Sequence, residues 1–411
     1  MSKILSLLLL LFFAAGMTVK GAANAIVLFM GLAAIPFTRR QWCADKDRLV
    51  LFLTLLALPL ATLLQIIAGM DGVSIKGLDA PLRFVFAGLS LWGLTRLPSR
   101  YFVLAMWGIV IGAFGFGVWG WLSKHVDAYR WVDVTRAWNG FSHPIAFGVY
   151  AVLFSVWVFI FPGDCLVKSH TKRKWLWVAK VLAISAALFA AYSSESRSAQ
   201  FVMAGSFLLL FLCRVPMPSW KKASFLAGMT LLAVLVVSFS PDRISTRVRE
   251  GATELQNYDN SLNTSMGMRV TMWRYAFTLV ERHPWAGVGR QGYYREVTKL
   301  INEKDGLQFI SASPHPHNEL LNFAVEFGIF GVVIGLAIYV VPAFFFWRAL
   351  YASDPILSFA AMAGLMTVLV QFLAGLFDTY FWIVSQTSFY GMSVVIFASM
   401  IFSRKRELGL T

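Results

Sequence analysis

Long apolar runs alternate with short polar connections along almost the whole chain. A bilayer core about 30 Å thick takes roughly 20 apolar residues of helix, and the backbone in lipid must hydrogen-bond within its own segment. Such runs therefore predict membrane-spanning α-helices. We predict about twelve of them, at residues 4–18, 21–37, 49–70, 83–94, 101–122, 144–161, 175–192, 199–212, 223–239, 319–346, 355–377 and 380–401.

One polar segment interrupts this pattern between Pro241 and Pro316. At roughly 75 residues it is too long for a simple connection between two helices. Apolar residues recur at helical spacing within residues 261–281, which predicts an amphipathic helix. The sequence His283-Pro284-Trp285 should end that helix, and Gly287-Val288-Gly289 should form a turn. A second short helix is expected around residues 293–301, at the membrane surface.

This pattern predicts an all-α integral membrane protein in three parts. Residues 1–240 would carry the first nine spans, residues 241–318 a large external loop, and residues 319–411 the last three spans with a short tail. A shorter external segment, residues 123–143, contains Arg136 and Trp138 and could fold over the same site as the large loop.

Basic residues indicate the orientation, because the short loops on the cytoplasmic side of a membrane protein are enriched in Lys and Arg. Placing both termini in the cytoplasm puts these basic residues there: Arg39, Arg40, Lys46, Arg48, Arg96, Arg100, Lys168, Lys172, Arg173, Lys174, Arg214, Lys221, Lys222, Arg348, Arg404, Lys405 and Arg406. The first run could alternatively be a signal peptide cleaved near Ala23-Asn24-Ala25. Keeping it as a helix preserves the alternation of charge along the whole chain.

Composition excludes a soluble globule, since 58% of the residues are hydrophobic, 14% are charged and the mean hydropathy is +0.66. The net charge of +15 lies largely in the short cytoplasmic loops, where anionic lipid headgroups attract it. We therefore expect membrane lipids rather than nucleic acid as partners. Cys43, Cys165 and Cys213 fall on or near the reducing side, so no disulfide is expected.

The most informative string is Pro314-His315-Pro316-His317-Asn318, directly before a long apolar run. Proline favours a helix start just after Pro316, which places His317 at the external mouth of that helix. The positive end of a helix disfavours imidazolium, so His317 could act as a general base. The alternative is that His315 and His317 only cap the helix. Deeper in the same helix, Gly328 and Gly331 should let another helix pack closely.

Three external arginines and one aspartate are further candidates for binding an anionic substrate. Arg197 lies in a short turn between two helices, and Arg269 and Arg274 lie on the amphipathic helix. Each guanidinium could bind phosphate through its fork of donors, or could simply be solvated at the membrane edge. Asp378, at the turn before the last helix, could orient an arginine or be an ordinary loop residue. The external acidic residues lack ligand spacing, so we expect no metal or other cofactor.

His317-Asn318, nine further residues and then Gly328-Ile329-Phe330-Gly331 resemble the signature of a known family. This is the O-antigen ligase and polymerase superfamily of bacterial envelope glycosyltransferases, whose signature is His, then Asn, Ser or Gln, nine residues, and Gly-x-x-Gly. Arg197, Arg269 before Met272-Trp273, and the turn at residues 284–289 support the resemblance. Together these motifs extend over about the last half of the chain.

The resemblance implies transfer of a glycan from undecaprenyl diphosphate to a hydroxyl acceptor, without a metal, at the periplasmic face of the bacterial inner membrane. In the O-antigen ligase branch the acceptor is lipid A-core. The resemblance also implies that His317 is the catalytic base, that Arg197 and Arg269 contact the diphosphate, and that Asp378 is functional. Arg274, His315 and Asn318 are further candidates for substrate binding. The implied fold is that of membrane-embedded (GT-C-like) lipid-linked glycosyltransferases.

Three other functions remain open from the sequence. An O-antigen polymerase uses the same donor, and a protein O-oligosaccharyltransferase often carries an additional C-terminal region, whereas this chain ends soon after its last predicted helix. A transporter or flippase of an anionic lipid-linked substrate would also suit many helices with arginines at the membrane edge. The polar residues here concentrate at one face, which favours the ligase.

Overall fold

The computed structural model describes residues 2–38, 45–129, 136–163, 169–214, 218–221, 224, 265–301 and 313–410. Within these ranges every regular element is helical. The α-helices are α1 (Ser2–Ala15), α2 (Ala22–Thr38), α3 (Lys46–Ile67), α4 (Asp79–Leu94), α5 (Val103–His125), α6 (Pro144–Ile160), α7 (His170–Ser193), α8 (Arg197–Arg214), α9 (Ser265–Arg282), α10 (Tyr293–Leu300), α11 (Glu319–Trp347), α12 (Pro355–Gly375) and α13 (Val384–Glu407).

Six of the described helices are long and apolar enough to cross a bilayer, namely Lys46–Ile67, Ser99–His125, His170–Ser193, Glu319–Trp347, Pro355–Gly375 and Val384–Glu407. Three shorter apolar helices accompany them, at Lys3–Ala15, Ala22–Pro36 and Pro144–Ile160. The chain is therefore a multi-pass α-helical membrane protein. The predicted number of twelve spans stays a prediction, and the ninth predicted run, residues 223–239, lies outside the described residues.

α13 lies at the centre of the bundle. Its spanning window is 89% buried, and it packs against α4 and α12. Phe389 stacks on Phe12 of α1 with ring centroids 5.3 Å apart, and its ring also contacts Phe154 and Trp157 of α6. α13 is covered on all sides, and its polar side chains, among them Gln386, Ser393 and Ser399, are buried within the bundle.

The loops that were predicted to share one side of the membrane do lie together. At one end, Arg348 pairs with Asp47 at 2.9 Å and Arg404 pairs with Asp354 at 2.7 Å. The Ser99 backbone N–H donates to Glu407 there at 2.7 Å. We call this group of loops, around residues 46–48, 95–100, 348–354 and 404–407, the basic end. These contacts bring together four of the segments that were predicted to be cytoplasmic, and the alternation of all the loops stays a prediction.

The opposite end carries the candidate residues and is called the site end. It includes residues 193–197, 284–292, 313–318 and 376–383. Asp354 at the basic end caps α12 by accepting the backbone N–H groups of Ile356 and Leu357, each at 3.0 Å, and Asn318 at the site end caps α11. Because such caps satisfy the first free N–H groups of a helix, they fix where each helix begins.

α11 is not a straight helix, and this corrects the expectation for its glycines. Gly328 has φ +62° and ψ −143°, which breaks the helix there. A Cβ on Gly328 would overlap the backbone of Trp285, and one on Gly331 would overlap the carbonyl of Phe323 in the same helix. The predicted packing of a second helix at these glycines was wrong, because the turn at residues 284–289 occupies the break instead.

Backbone hydrogen bonds hold that turn in the break. The N–H of Val288 donates to Val325 at 2.8 Å, the N–H of Gly289 to Glu326 at 3.1 Å, and the N–H of Ile329 to Pro284 at 2.8 Å. Irregular backbone at membrane depth is tolerated only where its polar groups are satisfied by protein or water. The turn meets this need and ties the segment that carries α9 and α10 to the bundle.

Candidate functional site

A cavity of about 490 Å³ opens at the site end of the bundle. Arginines from three separate segments line it, namely Arg136, Arg197 and Arg269. Its apolar walls come from Ile145, Phe201 and Phe377, and its remaining lining from Glu195, Ser196 and Ser198. Three guanidiniums in one cavity form a site with strong attraction for an anion.

Two of these arginines lie at the junction between α7 and α8. Arg136 Nε donates to the Ser194 carbonyl at 3.0 Å, and the N–H of Ala137 donates to Ser193 at 2.8 Å. These bonds fix the segment before α6 against the end of α7. Arg197 is the first residue of α8 rather than part of the turn, and its side chain is exposed. The turn itself contains Glu195 at φ +51°.

Arg269 reaches the cavity from α9 and is partly buried. Burial lowers the pKa of its guanidinium, Asp378 opposes this by raising it, and Arg197 lowers it further. An arginine remains protonated in proteins despite such a shift. Arg269 is thus a charged group that has lost part of its hydration beside a second cation. A bound anion would offset both the lost hydration and the repulsion between the two arginines.

His317 and Asp378 form a hydrogen-bonded pair next to Arg269. His317 Nδ1 lies 3.0 Å from Asp378 Oδ1. His317 has φ +50°, in the left-handed region that non-glycine residues seldom adopt. Asp378 lies between α12 and α13, as predicted, and it also accepts the Thr379 backbone N–H at 2.9 Å. With Nδ1–H donating to the carboxylate, Nε2 keeps a lone pair and can accept a proton.

Asp378 is held in its charged form. Burial alone would raise the pKa of its carboxyl, but the hydrogen bond and electrostatic interaction with His317 lower it, with further lowering from His315 and the Thr379 N–H. The net pKa lies below the ordinary value. A carboxylate that stays ionised near neutral pH can fix the tautomer of the imidazole and stabilise the imidazolium that a general base becomes.

His315 lies behind His317 and has a different environment. Its ring centroid is 4.5 Å from that of His317 and 5.4 Å from that of Trp382. Burial lowers the pKa of His315 to about 4, and the neighbouring His317 lowers it as well. His315 is therefore neutral near pH 7, and its ring forms part of the wall on which His317 rests.

Asn318 and Arg274 are placed differently from the other candidates. Asn318 Oδ1 accepts the Leu321 N–H at 3.0 Å, and its Nδ2 donates to the Leu376 carbonyl at 3.2 Å. The side chain therefore caps α11 and holds the segment before Asp378. Arg274 is exposed on α9 and is not among the residues that line the cavity. Substrate binding by either residue stays a prediction.

The sequence spacing gave no sign of a group that could hold a metal, but the tertiary structure brings one together. Ligand atoms of His315, His317 and Asp378 lie within 4.8 Å of one another. His317 Nδ1 lies 3.0 Å from Asp378 Oδ1, so Nε2 is the ring nitrogen that remains for a metal or for a substrate. A metal-free site stays a prediction.

Comparison with known proteins covers the segment that carries most of these residues. The sequence profile of the family described as O-Antigen ligase matches residues 181–336. Over these residues the chain is similar to the O-antigen ligase family. The match includes Arg197, Arg269, His317 and the glycines of the α11 break. Members of this family are ligase-type or polymerase-type glycosyltransferases.

A second comparison found similarity to one curated protein over a shorter stretch. An uncharacterized protein of Haemophilus influenzae is 28% identical over 134 residues, which cover 30% of this chain and 33% of that protein. The matched part of the chain thus covers about a third of the length of this relative. Arg136 and Asp378 lie outside residues 181–336, so their place in the site comes from the structure alone.

Sequence reasoning missed three features of the site. Arg136 was named only as part of a segment that could fold over the site, and the structure confirms that this part of the segment does so. Trp382 and the buried pair of Arg290 with Glu326 were not singled out at all. A charged residue inside an apolar run is a signal for a functional or structural role, and Glu326 in the run that begins at Glu319 shows that signal.

Proposed function

We propose that the protein transfers a glycan from an undecaprenyl diphosphate carrier to a sugar hydroxyl of lipid A-core, as an O-antigen ligase. The observation that carries this proposal is the cavity of about 490 Å³ in which Arg136, Arg197 and Arg269 converge, beside a histidine paired with a carboxylate. Diphosphate recognition and proton abstraction are the two tasks this reaction requires.

The cavity suits the diphosphate end of the donor. Two or three guanidiniums can hold the phosphate oxygens by paired hydrogen bonds, and they need not reorganise as charge develops on the leaving group. The apolar side chains of Ile145, Phe201 and Phe377 offer a wall for the first units of the polyprenyl tail. Metal ions often stabilise such leaving groups, and here three fixed cations supply the charge.

The reaction is a single displacement at the anomeric carbon. His317 Nε2 takes the proton of the acceptor hydroxyl, and the oxygen forms a bond to the anomeric carbon. The bond from that carbon to the diphosphate oxygen breaks, and its electron pair stays on the diphosphate, where the arginines stabilise it. Asp378 stabilises the imidazolium. Because the acceptor oxygen attacks the anomeric carbon directly, without a covalent intermediate on the protein, the anomeric configuration should invert.

The same arguments set the location of the reaction. If the basic end faces the cytoplasm, as the rule for short basic loops requires, the site end faces the periplasm of a bacterial inner membrane. Both termini are then cytoplasmic. A bundle with its reaction site at one membrane face is consistent with a GT-C-like lipid-linked glycosyltransferase.

The first test is transfer in vitro with purified protein. The donor is an undecaprenyl diphosphate-linked glycan, and lipid A-core, a second carrier-linked glycan and a Ser-containing peptide are offered in parallel. Ligation to lipid A-core that is lost in His317→Ala would support the proposal. His283→Ala is the matched control, because His283 is an exposed histidine at the end of α9. Retention of the donor's anomeric configuration in the product would contradict the single displacement.

Other products would point to other functions. Lengthening of the carrier-linked glycan would identify a polymerase, and a glycosylated peptide would identify a protein O-oligosaccharyltransferase. Movement of the donor across a vesicle membrane without transfer would favour a transporter. The break in α11 resembles the broken helices of transporters, but here the chain's own turn at residues 284–289 satisfies the broken backbone.

A further inference from the structure

Glu326 is a buried carboxylate that joins three separate segments at the site end. It lies in α11 two residues before the break and has no exposed surface. Its Oε2 pairs with Arg290 Nη1 at 2.5 Å, and its Oε1 accepts the N–H of Gln291 at 2.9 Å and Nε1–H of Trp382 at 3.0 Å. Both carboxylate oxygens are therefore engaged by groups outside α11.

Arg290 also contacts the segment that contains Trp382, through its guanidinium group. Its Nη2 donates to the Phe381 carbonyl at 2.9 Å, and its guanidinium carbon lies 5.8 Å from the ring centroid of Trp382. The backbone N–H of Arg290 donates to Gln65 Oε1 of α3 at 2.9 Å. Phe381 and Trp382 are thus fixed both through their backbone and through the indole ring.

A buried ion pair is weak evidence for stability alone, because well-packed apolar residues often replace one without loss. Its best-supported use is to select one arrangement of the groups around it. The direction in which Trp382 points is such an arrangement, since the indole N–H has a charged acceptor in Glu326 and the ring has a cation over it.

The contacts continue from Trp382 to the catalytic base. The ring of Trp382 lies 5.4 Å from that of His315, which lies 4.5 Å from that of His317. Asp378, the partner of His317, is four residues before Trp382 in the same short connection between α12 and α13. We infer that Glu326, paired with Arg290, is a positioning residue that fixes the Trp382–His315 wall behind His317 and so holds the base in its catalytic geometry.

Glu326 also anchors the turn that follows α9, the helix that carries Arg269 into the cavity. The Glu326 carbonyl accepts the Gly289 N–H at 3.1 Å and Gln65 Nε2–H at 2.8 Å, which anchors the turn that follows α9. α9 carries Arg269, and its Trp273 Nε1 donates to the Pro316 carbonyl at 2.9 Å. One buried residue thereby helps to set the separation between Arg269 and His317. This inference rests on the proposed function.

Glu326→Gln tests the role with little change of shape. The glutamine retains an acceptor for Trp382 and Gln291 but loses the charge that faces Arg290. We expect kcat for transfer, per folded protein, to fall on the order of 10²-fold, because a misplacement of about 1 Å at a reacting group has that effect. The donor KM should change far less, since Arg136 and Arg197 line the cavity from segments that Glu326 does not contact.

A second measurement does not depend on activity. Diethyl pyrocarbonate acylates neutral imidazole, so its reaction with His315 reports how well Trp382 covers that ring. We expect mass spectrometry to show faster modification of His315 in Glu326→Gln, with exposed His283 as the internal reference. Asp354→Asn is the matched control, because it weakens the pair of Asp354 with Arg404 at the basic end, and it should leave both kcat and His315 reactivity unchanged.

Trp382→Phe covers the case in which Glu326→Gln does not fold. The phenylalanine retains an aromatic ring beside His315 but lacks the N–H that Glu326 orients, so it too should lower kcat and expose His315. When both variants fold, their effects should be less than additive, because they act through one contact. Unchanged kcat per folded molecule and unchanged His315 reactivity would overturn the inference. If the unsubstituted protein transfers no glycan, the proposed function is refuted instead. The reactivity of His315 then still tests whether Glu326 holds Trp382 over that ring.

Discussion

At the scale of residues, two histidines separated by a single proline have different chemistry because of their surroundings. His317 Nδ1 is hydrogen-bonded to Asp378 Oδ1 at 3.0 Å, which leaves Nε2 for a substrate. His315 is packed between His317 and Trp382, and its pKa is lowered to about 4 by burial. We therefore propose His317 as the base and a packing role for His315.

Replacement of Arg269 by alanine should abolish most transfer while the protein still folds. Removing one preorganised donor from a developing negative charge typically costs a factor of about 10²–10³ in rate. The measurement is kcat/KM for transfer, with thermal unfolding as the check on folding. Arg282→Ala is the matched control, because it removes an exposed arginine from the last turn of the same helix.

Substitutions of Arg197 test whether it binds the diphosphate through paired hydrogen bonds or through its charge alone. If the guanidinium of Arg197 binds the diphosphate through its paired donors, Arg197→Lys should be clearly impaired, because an ammonium has no such fork. Full activity of Arg197→Lys would mean that only the charge matters at this position. A loss in Arg197→Ala alone would not separate these two cases.

Acid should destabilise the protein through His315. In the unfolded chain this histidine binds a proton below its ordinary pKa of 6.5, whereas in the folded protein it does so only near pH 4. Between these values the unfolded state binds more protons, so the free energy of unfolding falls as the pH falls from about 6.5 to about 4. Thermal unfolding in detergent across this range should show a shallower decline for His315→Gln than for the unsubstituted protein. Equal slopes would contradict the buried neutral state.

Chelators should leave transfer unchanged. We expect Arg136, Arg197 and Arg269 to supply the positive charge that a metal would otherwise provide at the diphosphate. The measurement is the transfer rate before and after treatment with EDTA. A loss that magnesium or manganese restores would contradict this prediction and would make His315, His317 and Asp378 the first ligand set to examine.

At the scale of elements, the break in α11 is the feature that brings the turn at residues 284–289 into the bundle. Gly328 adopts φ +62°, and Gly287 in the turn adopts φ +69°. Each lies so close to the other's segment that a Cβ would overlap backbone atoms. The glycine motif of the sequence signature thus allows a backbone-to-backbone contact, which in turn places Glu326 against Arg290.

Gly328→Ala should therefore disrupt this contact. Alanine at a positive φ costs roughly 1–2 kcal/mol by itself, and the overlap with Trp285 adds to it. We expect a lower unfolding temperature together with lower transfer. Gly69→Ala is the matched control, because Gly69 has φ +66° with open space around its Cβ position. A similar loss in both variants would show that backbone strain alone, and not the contact with the turn, is responsible.

At the scale of the whole molecule, the charge distribution predicts that the basic end and the site end face different compartments. Single cysteines can test this in a variant from which the three native cysteines have been removed. Glu195→Cys, at the exposed turn of the site end, should react with a membrane-impermeant maleimide applied to the periplasmic side. Leu410→Cys should react only after the membrane is permeabilised. The reverse pattern would invert the proposed orientation.

The sequence alone determined the helical class, most helix positions and the grouping of loops. Each of these depends on local properties, because a run of about 20 apolar residues has no stable alternative to a helix in lipid. The start of α11 after Pro316, the end of α9 at Arg282 and the turn at Gly287 and Gly289 were also predicted correctly. All of them follow from residues whose own backbone preferences decide the structure.

Only the tertiary structure decided which polar residues meet. Arg136, Arg197 and Arg269 are far apart in the chain, and their convergence depends on how α6, α7, α8 and α9 are placed. The break at Gly328 was read from the sequence as a contact between helices, because a glycine pair in an apolar run indicates close approach without specifying the partner. Helix formation depends on short-range periodicity, whereas a site at a helix end depends on long-range packing that no single segment encodes.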